Sequence, residues 1–155
     1  MKIGIVSEFY YPLLGGVSEH IRSVSRELKR LGHEVVVISG HMKGEQRNPG
    51  PRVIRLGRSL TVPYNNSLSR VSAGWRLGSK LDALLEAENF DLLHLHSPLQ
   101  PTLTHLAMRR AKCPLVGTFH SYYPRDILSE IFKRPLGRML GRMDRYLPVS
   151  RAAQE

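Results

Sequence analysis

The run from Val62 to Arg70, with the sequence VPYNNSLSR, places a phenol, two amides, two hydroxyls and a guanidinium within nine residues. These groups suit a polyol that carries a phosphate, because hydroxyls and amides pair with ring hydroxyls and a guanidinium binds phosphate oxygens. A basic helix with an apolar stripe is predicted to follow at once. Together they indicate a protein that holds a sugar-like phosphate head group at a membrane surface.

The charge balance also favours an anionic ligand. Lys and Arg outnumber Asp and Glu by 23 to 13, for a net charge of +10. Such an excess suits nucleic acid, an anionic bilayer or a phosphorylated ligand. Aromatic residues do not alternate with the basic ones as in common single-strand binders, so nucleic acid is not expected as a partner.

Trp75, Arg76 and Lys80 fall within the predicted basic helix. Basic residues beside an interfacial aromatic suit an anionic leaflet. An ordinary surface helix packed on a sheet is the alternative. The segment 133–145 is also basic and forms either a second contact with an anionic surface or a solvated face.

Gly15 and Gly16 lie between a predicted strand and a predicted helix. Glycines let the backbone approach a ligand closely, and a helix start offers free N–H groups to a phosphate. The alternative is a tight turn without a ligand. Neither a G-x-G-x-x-G dinucleotide motif nor a P-loop motif occurs.

Several histidines follow or lie on predicted strands. His120 ends one strand, where open α/β sheets bind ligands, and it can donate to a substrate oxygen or tie a loop to the backbone. His94 and His96 share one strand face, but no carboxylate or cysteine completes a metal set, so a polar patch and no metal are predicted. His20 could point back toward the glycine loop.

The elements that position these residues alternate along the chain. Apolar periodicity predicts strands at 3–6, 35–38, 53–56, 91–96, 114–119 and 146–149, and helices at 17–31, 68–87, 102–111 and 127–143. Alternating strands and helices predict an α/β fold, a Rossmann-like doubly wound parallel sheet. The carboxyl ends of its strands would bring Gly16, Arg70 and His120 to one shared cavity.

Length and composition limit the number of domains, the cellular compartment and the kind of membrane contact that can be expected. A chain of 155 residues supports one domain, here expected to span 1–155. A single cysteine, Cys113, excludes an internal disulfide and favours a reducing cytosol. No apolar run approaches the ~20 residues of a spanning helix. Membrane contact is therefore expected to be peripheral, on the inner face of the cell membrane.

Three phrases carry a family resemblance: Gly15-Gly16-Val17, the run FDLLHLH at 90–96, and Thr118-Phe119-His120. They resemble the N-terminal domain of the retaining GT-B glycosyltransferases of family 4. The run from Pro63 to Ser67, with Arg70, narrows the resemblance to the phosphatidylinositol mannosyltransferases. The resemblance spans nearly the whole chain.

The resemblance implies roles on the donor side. Gly15 and Gly16 would approach the donor diphosphate, and His120 would contact the transferred sugar and be needed for turnover. The donor, a nucleotide sugar such as GDP-mannose with which Mg²⁺ could associate, would be gripped mainly by a C-terminal GT-B domain. That domain does not follow Glu155 in this sequence, so the chain alone is expected not to turn over.

The resemblance also implies an acceptor side. Tyr64, Asn65, Ser67 and Arg70 would hold the inositol phosphate head group of a phosphatidylinositol-type lipid, with Arg70 on the phosphate. The helix that follows would dock on the anionic membrane surface. Two alternatives stay open: a family 4 enzyme with another acceptor, such as a sugar phosphate or another glycolipid, and a non-catalytic domain that binds anionic lipid.

Overall fold

The computed structural model describes residues 1–42, 50–64, 67–100, 102–120 and 137–150. Its strands are β1 (Lys2–Val6), β2 (Glu34–His41), β3 (Arg52–Tyr64), β4 (Ser67–Ala73), β5 (Leu92–His96), β6 (Leu115–Phe119) and β7 (Arg145–Pro148). Its helices are α1 (Gly16–Arg30), α2 (Leu77–Glu88) and α3 (Leu103–Arg110). These elements form a layered α/β domain.

The seven strands form one sheet in the order β4-β3-β2-β1-β5-β6-β7. All neighbours are parallel except β3 and β4, which pair antiparallel. The predicted Rossmann-like α/β class is therefore confirmed, with an antiparallel hairpin added at one edge. From β1 the chain first builds the sheet in one direction, through β2, β3 and β4. It then returns to the other side of β1 and builds the sheet in the opposite direction, through β5, β6 and β7. This reversal opens a crevice at the carboxyl ends of β1 and β5.

Both faces of the sheet are covered, because successive strand side chains point to opposite sides. The face under α1 buries one cluster, with Ile3, Ile5, Ile21, Val35 and Val37 among its members. The face under α2 and α3 buries a larger one, with Val6, Ile38, Leu81, Leu93 and Met108 among its members. Neighbouring residues of β1 thus serve two separate cores.

Most predicted elements are confirmed. The strands predicted at 3–6, 35–38, 91–96, 114–119 and 146–149 correspond to β1, β2, β5, β6 and β7, and the helices at 17–31 and 102–111 to α1 and α3. The strand predicted at 53–56 is the start of the much longer β3. Of the helix predicted at 127–143, residues 127–136 lie outside the described residues, and 137–140 are helical.

The helix predicted at 68–87 is wrong over its first part. Leu68, Val71 and Trp75 have helical spacing, but residues 67–73 form β4, which pairs with β3 from Arg58↔Ala73 to Tyr64↔Ser67. Pairing along the edge of a large sheet outweighs the weak helical preference of this serine-rich stretch. The helix α2 begins only at Leu77.

None of the described helices is both long enough and apolar enough to span a bilayer. The longest of them, α1, has 15 residues, against the ~20 that a spanning helix needs.

Candidate functional site

The crevice between β1 and β5 brings together the segments that follow β1, β5 and β6. The segment after β1 leads through Gly15 into α1 and is fixed on both sides. Tyr11 bonds Glu19 of α1 through its hydroxyl, and its carbonyl accepts a hydrogen bond from Arg55 of β3. This loop therefore has a defined position at the mouth of the crevice.

Gly15 and Gly16 mark the start of α1, and both are exposed. Gly15 has an extended backbone (φ 168°), which any residue can adopt. A Cβ added at either glycine would meet no protein atom within 4 Å. Neither packing nor backbone conformation therefore requires glycine at these two positions.

Arg70 of β4 faces a cavity of about 710 Å³. The other lining residues are Pro12, Leu13, His41, Met42, Arg58 and Ser59. The Arg70 guanidinium donates a hydrogen bond of 3.2 Å to the Ser59 hydroxyl. Two guanidinium groups on one cavity favour an anion such as a phosphate. Pro12 and Leu13 place this cavity directly beside the loop that leads to Gly15.

The strand that carries Arg70 is anchored by hydrogen bonds to the segments that follow β1 and β5. The Ser69 hydroxyl donates to the Gln100 side-chain oxygen at 2.7 Å. The Ser72 backbone N–H donates to Thr102 Oγ1 at 2.8 Å, and the Ser72 hydroxyl donates to Glu8 Oε2 at 2.6 Å. These bonds fix β4 against the segment that follows β5, so Arg70 is presented by a rigid strand.

Glu8 is the centre of this network and is almost completely buried. Its Oε1 accepts hydrogen bonds from the Thr102 hydroxyl at 2.7 Å and from the Leu103 backbone N–H at 2.6 Å, at the start of α3. Burial raises the pKa of the Glu8 carboxyl above its ordinary value, although the bonds from Ser72, Thr102 and Leu103 act to lower it. No motif in the sequence singles out this residue.

Four imidazoles gather where α1 passes over β5 and β6. His96 Nδ1 lies 2.9 Å from His120 Nε2, and the two rings stack with centroids 5.1 Å apart. The His20 ring packs edge-on against His120, at 5.0 Å between centroids. His94 Nε2 is 2.7 Å from the Thr118 hydroxyl. The helix and two strands thus converge on one histidine cluster.

Burial keeps His94, His96 and His120 uncharged. It lowers the pKa of His94 to about 4, and that of His120 to about 4 as well, with neighbouring imidazoles adding to the effect. The pKa of His96 lies well below its ordinary value for the same reason. At neutral pH these rings are neutral and can both donate and accept hydrogen bonds.

Trp75, Arg76 and Lys80, predicted to contact a membrane, are all exposed. Trp75 and Arg76 lie in the turn that precedes α2 rather than within a helix, and Lys80 lies in its first turn. The Trp75 side chain is 86% exposed. So exposed a side chain packs little against the described residues, and an exposed large apolar side chain can serve as a contact to another surface.

The predicted site residues fall into two groups. His120 contacts His20 of α1, while Arg70 lines a cavity with Pro12 and Leu13; the segment 12–20 therefore links the two. The lining of the Arg70 cavity includes neither Gly16 nor His120, so it is not by itself the single shared cavity that the sequence predicted.

The rest of the acceptor run is only partly described. Tyr64 and Ser67 pair with each other in the β3–β4 ladder. Asn65 lies outside the described residues.

With this geometry established, comparison with known proteins decides the family. The model of Glycosyltransferase Family 4 matches residues 14–155, nearly the whole chain. This chain belongs to glycosyltransferase family 4.

Proteins similar in sequence to this chain include named enzymes. A phosphatidyl-myo-inositol mannosyltransferase of Propionibacterium freudenreichii is 31% identical over 160 aligned residues, covering all of this chain and 42% of that protein. The enzyme of the same name from Mycolicibacterium smegmatis is 32% identical, covering 86% of this chain and 34% of its own length. The chain therefore spans less than half the length of these curated relatives.

The fold agrees with solved structures. A glycosyltransferase from Rickettsia africae superimposes with a TM-score of 0.61 at 18% identity, covering 96% of this chain and 36% of that one. The fold is thus the one predicted from the resemblance to GT-B enzymes.

Sequence reasoning missed three parts of this candidate site. Arg58 escaped notice because the strand predicted at 53–56 ended before it. Glu8 belongs to no motif. The sequence does not connect His20 with His96, and only the packing of α1 on β5 shows that both meet His120. A pattern of histidines near strand ends was the available signal.

Proposed function

We propose that this chain forms the acceptor-binding half of a membrane-associated retaining glycosyltransferase. The full enzyme transfers a sugar, mannose from GDP-mannose, to a phosphatidylinositol-type lipid. Family membership and the printed activity of the relatives support this assignment. The structural observation that carries it is the cavity of Arg58 and Arg70 beside the loop that leads to the exposed glycine pair.

In this proposal the head group enters the cavity of Arg70. The guanidiniums of Arg70 and Arg58 bind the lipid phosphate, and Arg70 can form two parallel hydrogen bonds with its oxygens. Tyr64 and Ser67, which pair at the end of the same hairpin, and Asn65 bind the inositol hydroxyls. The anchoring of β4 through Ser69 and Ser72 fixes the guanidinium before the ligand arrives.

On the membrane side, Trp75, Arg76 and Lys80 contact the inner leaflet. An exposed indole beside two cations suits an anionic interface, where the ring is amphipathic and the charges meet lipid phosphates. The chain then belongs at the cytoplasmic face of the membrane as a peripheral protein.

On the donor side, Gly15 and Gly16 allow the diphosphate to approach the start of α1, and a C-terminal domain holds the nucleotide. His120 is neutral because burial lowers its pKa to about 4. It therefore acts as a hydrogen-bonding group for a sugar hydroxyl rather than as a general acid. Its bond with His96 fixes the ring orientation.

Catalysis would rest on positioning and on stabilisation of charge at the departing diphosphate. Among the described residues, the group of three side chains able to hold a metal consists of imidazoles, whereas Mg²⁺ prefers oxygen ligands. Any Mg²⁺ would therefore travel with the donor diphosphate, and no step here depends on protein ligands to it.

The test is binding of the 155-residue chain to vesicles. Vesicles that contain phosphatidylinositol are compared with vesicles that contain the same fraction of phosphatidylglycerol, which carries the same charge. The proposal predicts a preference for phosphatidylinositol that persists at moderate salt. Equal binding to the two vesicles would indicate bulk electrostatics, and stronger binding of soluble inositol 1-phosphate than of the lipid would indicate a water-soluble acceptor.

A further inference from the structure

Three imidazoles from separate elements meet at the edge of the crevice. His20 comes from α1, His96 from the end of β5, and His120 from the position that follows β6. Each can offer one ring nitrogen such that the three nitrogens lie within 4.8 Å of one another. Residues 20, 96 and 120 are distant in the chain, so the fold brings these donors together.

The hydrogen bonding of the cluster is incomplete. His96 is fully buried, and its Nε2 atom has no hydrogen-bond partner among the described residues. A buried imidazole nitrogen without a partner is uncommon, because leaving it unpaired costs free energy. His94 differs in this respect, since its Nε2 already contacts the Thr118 hydroxyl at 2.7 Å. A ligand that accepts imidazole lone pairs would relieve the deficit at His96.

The donor set selects the kind of ion. Three imidazoles suit Zn²⁺ and neighbouring divalent transition metals, whereas Mg²⁺ and Ca²⁺ require oxygen ligands. Zinc–nitrogen bonds of about 2.0–2.1 Å in a tetrahedral site separate two ligand nitrogens by roughly 3.3 Å. His96 Nδ1 and His120 Nε2 lie only 2.9 Å apart and share a hydrogen bond, so the unpartnered Nε2, rather than Nδ1, is the nitrogen that His96 can offer to an ion.

We propose that His20, His96 and His120 form a binding site for one divalent transition-metal ion of the Zn²⁺ type, with a fourth coordination position open to water or another ligand. The site goes beyond sugar transfer and does not depend on it. Because His120 is also the proposed sugar contact, the ion and the sugar compete for this side chain. Metal loading would thus block the donor side of the crevice.

The experiment titrates the purified 155-residue chain with Co²⁺ and follows visible absorption, which is intense for a four-coordinate ion. Calorimetry with Zn²⁺ gives the stoichiometry. The proposal predicts saturation at one ion per chain, with Zn²⁺ displacing Co²⁺. Absence of saturable binding at this stoichiometry, or a spectrum of a six-coordinate ion only, would overturn it.

Variants locate the ion. His20→Gln changes a partly exposed helix position and preserves the fold, which far-ultraviolet circular dichroism verifies. It should weaken binding by more than about tenfold, the lower end of the loss caused even by outer-shell changes. His120→Asn should do the same. His33→Gln, outside the cluster, is the matched control. Unchanged affinity in His20→Gln, or an equal loss in His33→Gln, would contradict the site.

Discussion

The buried carboxylate of Glu8 accepts a hydrogen bond of 2.6 Å from the hydroxyl of Ser72, a residue 64 positions later in the chain. This contact joins the segment after β1 to the hairpin strand β4, and Arg70 lies two residues before Ser72. Through Thr102 and Leu103, the same carboxylate also holds the start of α3. The proposed donor and acceptor sides of the crevice are therefore joined through Glu8.

Replacement of Glu8 by alanine should destabilise the domain by about 2–4 kcal/mol, because it leaves the Ser72 hydroxyl, the Thr102 hydroxyl and the Leu103 N–H without their buried acceptor. Urea unfolding measures this change. Glu86→Ala is the control, because Glu86 is exposed and makes a 3.7 Å surface pair with Lys112; it should change stability by less than about 0.5 kcal/mol. Equal effects of the two variants would contradict the anchoring role.

The pH dependence of Glu8 has a definite sign. Its pKa in the folded state is raised above the ordinary 4.5 by burial. Its contribution to stability is therefore fully present below about pH 4.5 and is lost as the pH rises through the folded-state pKa. We expect the stability of the wild type, measured relative to Glu8→Gln, to fall as the pH is raised above 4.5. A difference that stays constant or grows with pH would show that the carboxyl is not destabilised by burial.

Gly16 and Gly57 should respond differently to alanine. A Cβ at Gly57 would lie 2.8 Å from the Ala73 carbonyl oxygen, and its φ is +69°, so Gly57→Ala should cost roughly 1–3 kcal/mol. A Cβ at Gly16 meets open space, and Gly16→Ala should leave stability unchanged or raise it by up to about 1 kcal/mol. Urea unfolding compares the two variants. A large loss in Gly16→Ala would favour the tight-turn interpretation over the ligand site.

Trp75 should contribute to membrane affinity without distinguishing one lipid head group from another. Burial of a large apolar side chain contributes about 1.5–3 kcal/mol, so Trp75→Ala should weaken vesicle binding by about tenfold or more. The loss should be the same for phosphatidylinositol and phosphatidylglycerol vesicles. Leu31→Ala removes another exposed apolar side chain, 62% exposed at the end of α1, and should have no effect. Similar losses in both variants would argue against a docking surface at Trp75.

The central part of the fold could be predicted because its signals are local. Val17, Ile21, Val24 and Leu28 recur at helical spacing, and the buried strands read as short apolar runs. The β3–β4 hairpin could not be predicted, because Leu68 and Val71 fit a helix equally well. Only pairing with a neighbouring strand, which the sequence does not show, decides between the two structures.

The residues of the candidate site likewise divide into those that the sequence could predict and those that it could not. Gly16, Arg70 and His120 could be singled out because each lies in a motif or at the end of a predicted element. The partners of these residues could not, since the contact of Glu8 with Ser72 and that of His20 with His120 depend on how distant segments pack. Sequence patterns therefore indicate candidate ligand-contacting residues, whereas the residues that hold them in place are visible only in the folded structure.

The most direct test of the proposed function is the head-group preference of an Arg70→Lys variant. Lysine keeps the charge but cannot form the two parallel bonds of a guanidinium with a phosphate. We expect the wild-type chain to bind phosphatidylinositol vesicles at least about tenfold more tightly than phosphatidylglycerol vesicles of equal charge, as hydrogen bonds to charged groups allow. In the proposal only an inositol phosphate is held in the cavity, with Arg70 on its phosphate, whereas phosphatidylglycerol binds by charge outside the cavity. Arg70→Lys should therefore release the inositol phosphate and abolish the preference while binding to phosphatidylglycerol is retained, and Arg76→Lys should keep the preference. A preference that survives in Arg70→Lys, or none in the wild type, would contradict the account.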